Sequence, residues 1–410
     1  MSHIAIIGAG VAGCSAAASL RRHGFSGRLS LVEMGRGPGG RCASRRSRHR
    51  PEETVNHGTP WFTVSSPEAR RLLQPLLAGG WLEERPLRLA RASSSQPPRR
   101  SAEAAPAEAV LMGRPGMDGL CRGLLADPIA PLETRYGTLV HRLRPQRSGG
   151  WRLLGAEGEP LLDPCDGLVI CGSLLAHPRG AASFGWSSPP LRQALRELET
   201  QAAAEDAASC RRLDQALDLL ARQGTEARLV AVLRFEGADA EPWRALGLDA
   251  IEPAEGDGSI DRLRLQPQPD GSMALLLEAS AAFTAATGPL TPRGSASARQ
   301  RAALGLEDRG PDAGATEASV LSQLQQALLQ LSRAWWPGGG PSPHPSEAWL
   351  MRWGAARPRG AGLSPALSLH PRFRLAFCGD CIAGAGFGQV EGALLSGERV
   401  GRCWREWLVA

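Results

Sequence analysis

The first forty or so residues constrain the fold more than any other part of the chain. Residues 4–7 form an apolar run that predicts a buried strand, and Gly8, Gly10 and Gly13 follow in the pattern Gly-x-Gly-x-x-Gly. Residues 12–22 then predict a helix. In such a unit the first glycine allows a tight turn, the second lets a ligand approach the backbone, and the third lets the helix lie close to the strand.

The acidic residue after the next strand makes this pattern typical of a dinucleotide site. A strand over 29–32 ends in Glu33, 20 residues after Gly13, where a carboxylate can accept hydrogen bonds from ribose hydroxyls. The helix N-terminus around Ala12 offers free N–H groups and a positive dipole to phosphates. The alternative, a glycine turn in an ordinary α/β unit, leaves Glu33 unexplained.

Length and composition predict a globular protein of two domains. A chain of 410 residues, 42% hydrophobic, is too long for one simple core. No apolar run reaches the length of a membrane helix, and no basic segment with a cleavage site opens the sequence. We therefore expect a cytoplasmic protein that has no membrane partner.

Cysteines and basic residues argue against several other classes. The nine cysteines are scattered, and Cys378 and Cys381 form the one close pair, so we expect reduced thiols and no metal site. All 47 basic residues are arginines, because the sequence contains no lysine, and the net charge of +6 is a mild excess. The basic cluster over 41–50 follows the first glycine unit directly. It fits phosphate neutralisation or a solvated loop better than a nucleic-acid surface.

A second anion-binding pattern lies near the end of the chain. A strand predicted over 373–377 is followed by Gly379 and Asp380, and a glycine-rich loop from Gly384 then opens a long helix. The helix N-terminus at Val390 can stabilise negative charge on a ligand.

The middle of the chain predicts a separate α+β domain. Residues 190–223 show helical spacing of leucines, 229–235 predicts a strand, and 260–265 with 274–278 predicts a hairpin. Residues 284–314 are rich in Gly, Ala, Pro and Arg with little periodicity, which indicates a mobile insertion.

Taken together, these motifs resemble a known family. The chain is similar to the flavoproteins of the amine-oxidase superfamily, which carry two dinucleotide motifs, and within it to the renalase-like NAD/FAD-dependent oxidoreductases. Five segments carry the resemblance: Ile6–Ala17, Glu33–Arg41, Asn56–Phe62, Gly113–Leu124 and Gly379–Gly397. The middle of the chain matches loosely. Asn56 and His57 stand where the family usually has an acid, which leaves the substrate open.

The resemblance implies an α/β fold in which a Rossmann-type FAD-binding domain of the amine-oxidase kind is joined to a second, α+β substrate domain. The FAD-binding domain is expected to be discontinuous, over 1–57, 109–175 and 340–410. The substrate domain is expected over 58–108 and 176–339, with the mobile insertion 284–314 inside it.

The resemblance also implies non-covalent FAD, with the adenosine near Glu33, the pyrophosphate between the glycine turns and Asp380, and the ring system near Gly58. The residues expected to bind FAD are Gly8, Gly10, Ala12, Gly13, Glu33, Gly40, Arg41, Gly58, Thr59, Val140, Gly379, Asp380, Gln389 and Val390. The expected catalytic residues are Arg352, Trp353 and His57. Each has a structural alternative: an ion pair for Arg352, core packing for Trp353, and a structural or solvated loop position for His57.

The chemistry implied by the resemblance is hydride transfer from a reduced substrate to flavin N5, followed by reoxidation by dioxygen to hydrogen peroxide. Polyamine- and monoamine-type oxidases generally place a lysine near flavin N5, and many add tyrosines. This chain has no lysine and one tyrosine, Tyr136. Renalase-like enzymes oxidise dihydropyridine rings of abnormal nicotinamide dinucleotides and need no such base, so we expect an NAD(P)H isomer as substrate. An amine-oxidase or desaturase-type flavoenzyme and a non-catalytic FAD-binding protein remain open alternatives.

Overall fold

The computed structural model describes residues 2–47, 49–100, 109–126, 131–201, 203, 206–254, 258–306, 316–336 and 344–409. Its strands are β1 His3–Ile7, β2 Arg28–Glu33, β3 Arg45–Arg46, β4 Thr54–Val55, β5 Leu82–Pro86, β6 Leu89–Ala92, β7 Arg99–Arg100, β8 Ala109–Gly113, β9 Leu132–Tyr136, β10 Arg142–Pro145, β11 Trp151–Leu154, β12 Gly167–Cys171, β13 Thr225–Phe235, β14 Ala250–Pro253, β15 Ile260–Pro267, β16 Met273–Ala279, β17 Glu347–Pro358, β18 Leu369–His370 and β19 Leu375–Cys378. Its helices are α1 Val11–Arg22, α2 Pro67–Ala78, α3 Gly119–Leu125, α4 Pro178–Phe184, α5 Pro190–Gln201, α6 Ala207–Arg222, α7 Glu241–Ala245, α8 Ala281–Thr287, α9 Ala296–Ala303, α10 Glu317–Ser332, α11 Val390–Arg402 and α12 Trp404–Leu408.

A six-stranded sheet with the order β18-β19-β12-β1-β2-β9 forms the centre of the first domain. Five strands run parallel and β18 is an antiparallel edge strand. The strand β1 is buried along nearly its whole length, because helices cover both faces of the sheet. It lies between β12 and β2, so the strand order reverses there. Ligands of open α/β sheets bind at the carboxyl ends of strands at such a reversal.

The helices α1 and α11 pack closely on one face of this sheet. Ser15 Oγ donates to the carbonyl oxygen of Leu394 at 2.7 Å. A Cβ atom added to Gly397 would lie 2.3 Å from the carbonyl oxygen of Ala12, so only a glycine fits there. The first and last long helices of the chain therefore form one unit.

The helices α5 and α6 cover the opposite face of the same sheet. Leu191 and Leu217 share an apolar cluster with Leu168 and Ile170 of β12. The helical prediction for 190–223 is therefore correct in kind, but these helices belong to the first domain and not to a substrate domain over 176–339. Leucine spacing shows that a helix has an apolar face, and it does not show which sheet that face covers.

A seven-stranded sheet with the order β17-β13-β16-β15-β14-β6-β7 forms the second domain. Most of its strand pairs are antiparallel, and one face packs on α10, where Leu229 and Leu275 share a cluster with Leu324. The strand β17 is an edge of this sheet, so its residues lie outside the first domain, although the sequence-based boundary placed 340–410 there. The predicted second α+β domain is confirmed, with altered boundaries.

The segment 284–314, for which we expect little regular structure, contains the helix α9. Gln300 Nε2 donates to the carbonyl oxygens of Met34 (3.2 Å) and Gly137 (2.9 Å) in the first domain. No residue of α9 is fully buried, so the helix lacks the apolar stripe that sequence periodicity would reveal. Residues 307–314 of this segment lie outside the described residues.

None of the helices that the structure describes is both long and apolar enough to cross a membrane.

Candidate cofactor-binding cleft

A single large cleft, of about 2110 Å³, opens at the carboxyl ends of β1, β12 and β19 and extends to β17 of the second sheet. Small-molecule sites usually measure about 300–1,000 Å³. The cleft therefore has room for an extended dinucleotide together with a second molecule.

The first glycine turn gives the cleft an exposed helix N-terminus. Gly8 has φ +105°, a conformation that side-chain-bearing residues rarely adopt. Gly10 is the N-cap residue of α1, and no side chain caps the helix there, so its first N–H groups remain available to a ligand. A Cβ atom on Gly13 would lie 1.9 Å from the carbonyl oxygen of Gly8, which explains the third glycine as a packing requirement.

Glu33 is held against this turn by backbone groups. Its Oε2 accepts from the N–H of Ala9 (2.8 Å) and its Oε1 from the N–H of Gly35 (2.7 Å). Burial raises the pKa of Glu33, and the two N–H groups oppose that shift. Each carboxylate oxygen has a second lone pair, so Glu33 can still accept hydrogen bonds from ribose hydroxyls.

The second glycine turn packs directly on the first. Gly39 donates its N–H to the carbonyl oxygen of Ala9 at 2.8 Å, and Gly39 and Gly40 have φ +138° and +56°. A Cβ atom on Gly40 would lie 3.1 Å from the Cα atom of Gly10. The two turns thus form a cradle whose floor is backbone alone.

An ion pair joins this cradle to the last strand of the sheet. Arg41 donates from Nη1 and Nη2 to the two carboxylate oxygens of Asp380, each at 2.6 Å. Its Nη1 also donates to the carbonyl oxygen of Ala356 in β17 at 3.0 Å. The guanidinium expected to meet phosphates is therefore already paired.

The closing helix α11 presents a second uncapped N-terminus to the cleft. Its N-cap residue, Gln389, makes no side-chain capping bond, and Gln389 and Val390 both line the cleft. Glu391 turns away from the cleft, where its carboxylate accepts from the N–H of Ser66 at 2.7 Å. The positive end of the helix dipole is thus free to act on a ligand.

His57 and Trp353 meet at the far end of the cleft. Trp353 Nε1 donates to the carbonyl oxygen of His57 at 3.1 Å, and the two rings lie edge to face with centroids 5.6 Å apart. Burial, with a smaller effect of Arg264 and Arg45, lowers the pKa of His57 to about 4. The imidazole is therefore neutral at pH 7, and its Nδ1 has no partner among the described residues.

Gly58 and Thr59 support this end of the cleft through the backbone. Thr59 donates its N–H to the carbonyl oxygen of Arg41 at 2.8 Å. A Cβ atom on Gly58 would lie 2.0 Å from that oxygen and 3.0 Å from the Trp353 ring. Gly58 is thus required for packing between the cradle and β17.

Arg352, beside Trp353 on β17, lines the same cleft. Burial lowers the pKa of its guanidinium, and its Nε has no hydrogen-bond partner in the described part of the chain. The ion pair considered as its structural alternative is therefore absent among the described residues.

The structure brings the sequence-predicted residues together. All of them line the cleft except Gly13 and Gly58, which act through packing. Sequence reasoning missed most of the cationic lining. Twelve described arginines line the cleft: Arg36, Arg41, Arg45, Arg46, Arg88, Arg91, Arg122, Arg179, Arg293, Arg299, Arg352 and Arg357. The basic cluster over 41–50 was a signal for three of them, Arg352 was predicted as a catalytic residue, and Arg36 and Arg122 lie in motif segments without having been singled out. The remaining six lie in segments without a motif.

Few acidic residues line the cleft, and each of them already accepts hydrogen bonds. Four carboxylates line the described cleft, and each accepts hydrogen bonds within the chain: Glu33 from backbone N–H groups, Asp118 from two arginines, and Glu252 and Asp380 from one arginine each. The cleft therefore favours an anion over a cation.

Comparisons with known proteins agree with this architecture. The model of the NAD(P)-binding Rossmann-like domain family matches residues 6–76, which include both glycine turns. No curated protein matches the sequence.

Solved structures resemble the chain over its whole length. Cyclohexylamine oxidase from Brevibacterium oxydans is 16% identical, with 100% of each chain covered and a TM-score of 0.60. Putrescine oxidase bound to putrescine is 14% identical, with 98% of each chain covered and a TM-score of 0.55. At these identities the likeness shows the fold alone. It confirms the prediction of a Rossmann-type domain with a second domain, arranged as in flavin amine oxidases.

Proposed function

We propose that the protein is an FAD-dependent oxidoreductase that binds FAD non-covalently in the cleft. Four observations support the fit of this cofactor: two glycine turns with a backbone floor, two uncapped helix N-termini, the free lone pairs of Glu33, and the volume of the cleft. Glu33 would hold the adenosine ribose near Val140. The N-termini of α1 and α11 would face the pyrophosphate and the flavin ring.

The state of the cysteines supports non-covalent binding. Cys42 and Cys381 line the cleft, and burial raises the pKa of each thiol to about 12. A thiol attacks as its thiolate, so these side chains stay unreactive at neutral pH. All nine cysteines are free, which fits a reducing compartment, and we propose that the protein acts in the cytoplasm. Recovery in the membrane or periplasmic fraction would refute that location.

Bound FAD would supply the hydride acceptor, flavin N5, and would return its electrons to dioxygen with formation of hydrogen peroxide. The residues of the chain bind and orient the cofactor and the substrate. Trp353 offers an aromatic face for stacking, and Arg352 offers a partly unpaired guanidinium to an anionic substrate. His57, neutral at pH 7, can exchange a hydrogen bond with substrate but carries no charge there.

We propose an anionic substrate, specifically a reduced nicotinamide dinucleotide in an abnormal isomeric form. The observation that carries this proposal is the charge of the cleft. Four of its twelve described arginines, Arg41, Arg46, Arg88 and Arg122, pair with carboxylates, and the other eight have no carboxylate partner among the described residues. FAD contributes one pyrophosphate, so the excess of positive charge suits a second phosphate-bearing molecule. A dihydropyridine releases its hydride without a catalytic lysine, and the chain has none.

An amine substrate is the second candidate, because two structural neighbours are a cyclohexylamine oxidase and a putrescine oxidase. Against it, three of the four carboxylates of the described cleft are paired with arginines, and the fourth, Glu33, would hold the ribose of FAD. A protein that binds FAD without catalysis is the third candidate.

Anaerobic rapid mixing separates these candidates. The FAD-loaded protein is mixed with 6-dihydro-NAD(P), with ordinary NAD(P)H, and with cyclohexylamine or putrescine, while the flavin absorbance is followed. We expect fast bleaching by the dinucleotide isomer. Bleaching by amines alone would establish the second candidate, and bleaching by none of them the third.

A further inference from the structure

A partly buried guanidinium in the wall of the cleft has one buried nitrogen atom without a partner among the described residues. Arg179 lies in α4, just after β12, and lines the cleft. Its Nη2 donates to Ser173 Oγ at 2.9 Å. Its Nη1 is buried and has no hydrogen-bond partner among the residues that the structure describes. A buried charged donor without a partner is costly, so the position favours an acceptor supplied by a ligand.

The loop 171–173, whose serine holds Arg179, lies between the first glycine turn, at Gly8, and the turn at Gly379. On one side, Gly172 donates its N–H to the carbonyl oxygen of Cys378 at 2.7 Å, directly before the turn at Gly379. On the other side, a Cβ atom on Gly8 would lie 3.2 Å from a carbonyl oxygen of the loop. Arg179 is thus anchored where the ends of β1, β12 and β19 meet.

Arg41 is not the unpaired cation that its position in the sequence suggests. Both of its terminal nitrogens donate to Asp380, so the pair is close to neutral. Arg179 has no carboxylate at ion-pair distance in the described part of the chain. Burial, and next the charge of Arg41, lower the pKa of Arg179. Both arginines line the same cleft.

We propose that Arg179 binds the pyrophosphate of FAD, with Nη1 donating to a phosphate oxygen and Ser173 orienting the guanidinium. The proposal rests on the proposed function, because the pyrophosphate concerned is that of the cofactor. In this proposal the unpaired positive charge at the pyrophosphate comes from Arg179, in the segment after β12, and not from Arg41, in the second glycine turn.

The test compares flavins that differ in phosphate content. Flavin-free full-length protein is titrated with FAD, FMN and riboflavin, and binding is followed by flavin fluorescence. The variants are Arg179→Gln, Arg179→Lys, and the control Arg196→Gln, which removes an exposed charge outside the cleft. We expect Arg179→Gln to weaken FAD binding roughly ten- to a hundredfold and to leave riboflavin binding within about twofold. Arg179→Lys restores part of the loss, and Arg196→Gln changes neither affinity.

Two outcomes overturn the proposal. One is unchanged FAD affinity in Arg179→Gln. The other is an equal loss for FAD and riboflavin, which indicates a structural role. The ratio of FAD to riboflavin affinity within one variant does not depend on how much of that variant is folded. A wild-type protein that binds no flavin overturns the proposed function itself, which distinguishes the two failures.

Discussion

Arg41 and Asp380 form a two-bond ion pair, 2.6 Å at each contact, that joins the second glycine turn to the strand β19. The two residues are 339 positions apart in the sequence. Both ends of the chain therefore build one cleft, and the stability of the fold and the shape of the cofactor site depend on the same contact.

Replacing Asp380 with asparagine keeps the side-chain shape and removes the charge that Arg41 faces. Loss of one partner of a fully buried pair costs about 3–5 kcal/mol. Since the Arg41 side chain is 37% exposed, we expect a smaller loss of about 1–3 kcal/mol in the free energy of unfolding, measured with urea.

The matched control is Arg28→Gln, which breaks exposed pairs with Glu133 and Asp163 and should change the free energy of unfolding much less. The double variant Arg41→Gln/Asp380→Asn should lose less than the sum of the two single losses. If the losses of the two single variants simply add, the ion pair between Arg41 and Asp380 contributes no free energy of its own.

The third glycine of the first turn should tolerate no side chain. In Gly13→Ala the new Cβ would lie 1.9 Å from a backbone oxygen that cannot move freely, so we expect a loss of about 1–3 kcal/mol in stability and a reduced FAD content. Gly224→Ala is the control, because Gly224 lies outside the cleft and an added Cβ would lie 3.4 Å from its nearest neighbour, an ordinary contact. Calorimetry and the flavin-to-protein absorbance ratio measure both effects. Equal behaviour of the two variants would refute the packing role of Gly13.

His57 predicts a pH dependence of stability. Its pKa falls from 6.5 to about 4 on folding, so the unfolded chain takes up the proton first as the pH falls. The contribution of His57 to the free energy of unfolding is therefore highest above pH 6.5 and falls as the pH falls towards 4. The loss reaches roughly 2 kcal/mol by pH 5.

Removing this group should flatten the acid side of the stability curve. Urea unfolding of His57→Gln at pH 7 and pH 5 should show a loss about 2 kcal/mol smaller than in wild type. His49→Gln, at an exposed position, should follow the wild-type curve. An unchanged pH dependence in His57→Gln would mean that His57 is not buried in its neutral form.

Arg352 should act on the substrate and not on the cofactor. We expect Arg352→Gln to lower kcat/KM for the dihydropyridine dinucleotide roughly ten- to a hundredfold, because a charge-assisted hydrogen bond is lost. FAD affinity should not change. Arg144→Gln, an exposed position outside the cleft, should leave both constants unaltered. A loss of FAD affinity in Arg352→Gln would place this residue at the cofactor.

The parts of the site that could be predicted from sequence are those fixed by local geometry. The turn at Gly8, the close packing at Gly13 and the acid at Glu33 each follow from the spacing within one βαβ unit. The uncapped N-terminus of α11 was equally local, because a glycine loop precedes it.

The parts that could not be predicted depend on which surfaces meet. The leucines of α5 and α6 show an apolar face but not the sheet that it covers. Gln300 reaches the first domain from a helix with no buried stripe. Arg179 belongs to no motif, and its importance appears only when Arg41 is found to be paired with Asp380.

We propose that one cleft, built by both ends of the chain, holds a flavin. The most direct measurement is the visible absorption spectrum of the purified protein after incubation with FAD and removal of unbound cofactor by gel filtration. We predict an oxidised-flavin spectrum at about one FAD per chain, released as free FAD when the protein is denatured. A colourless protein after this treatment would show that the cleft does not hold FAD.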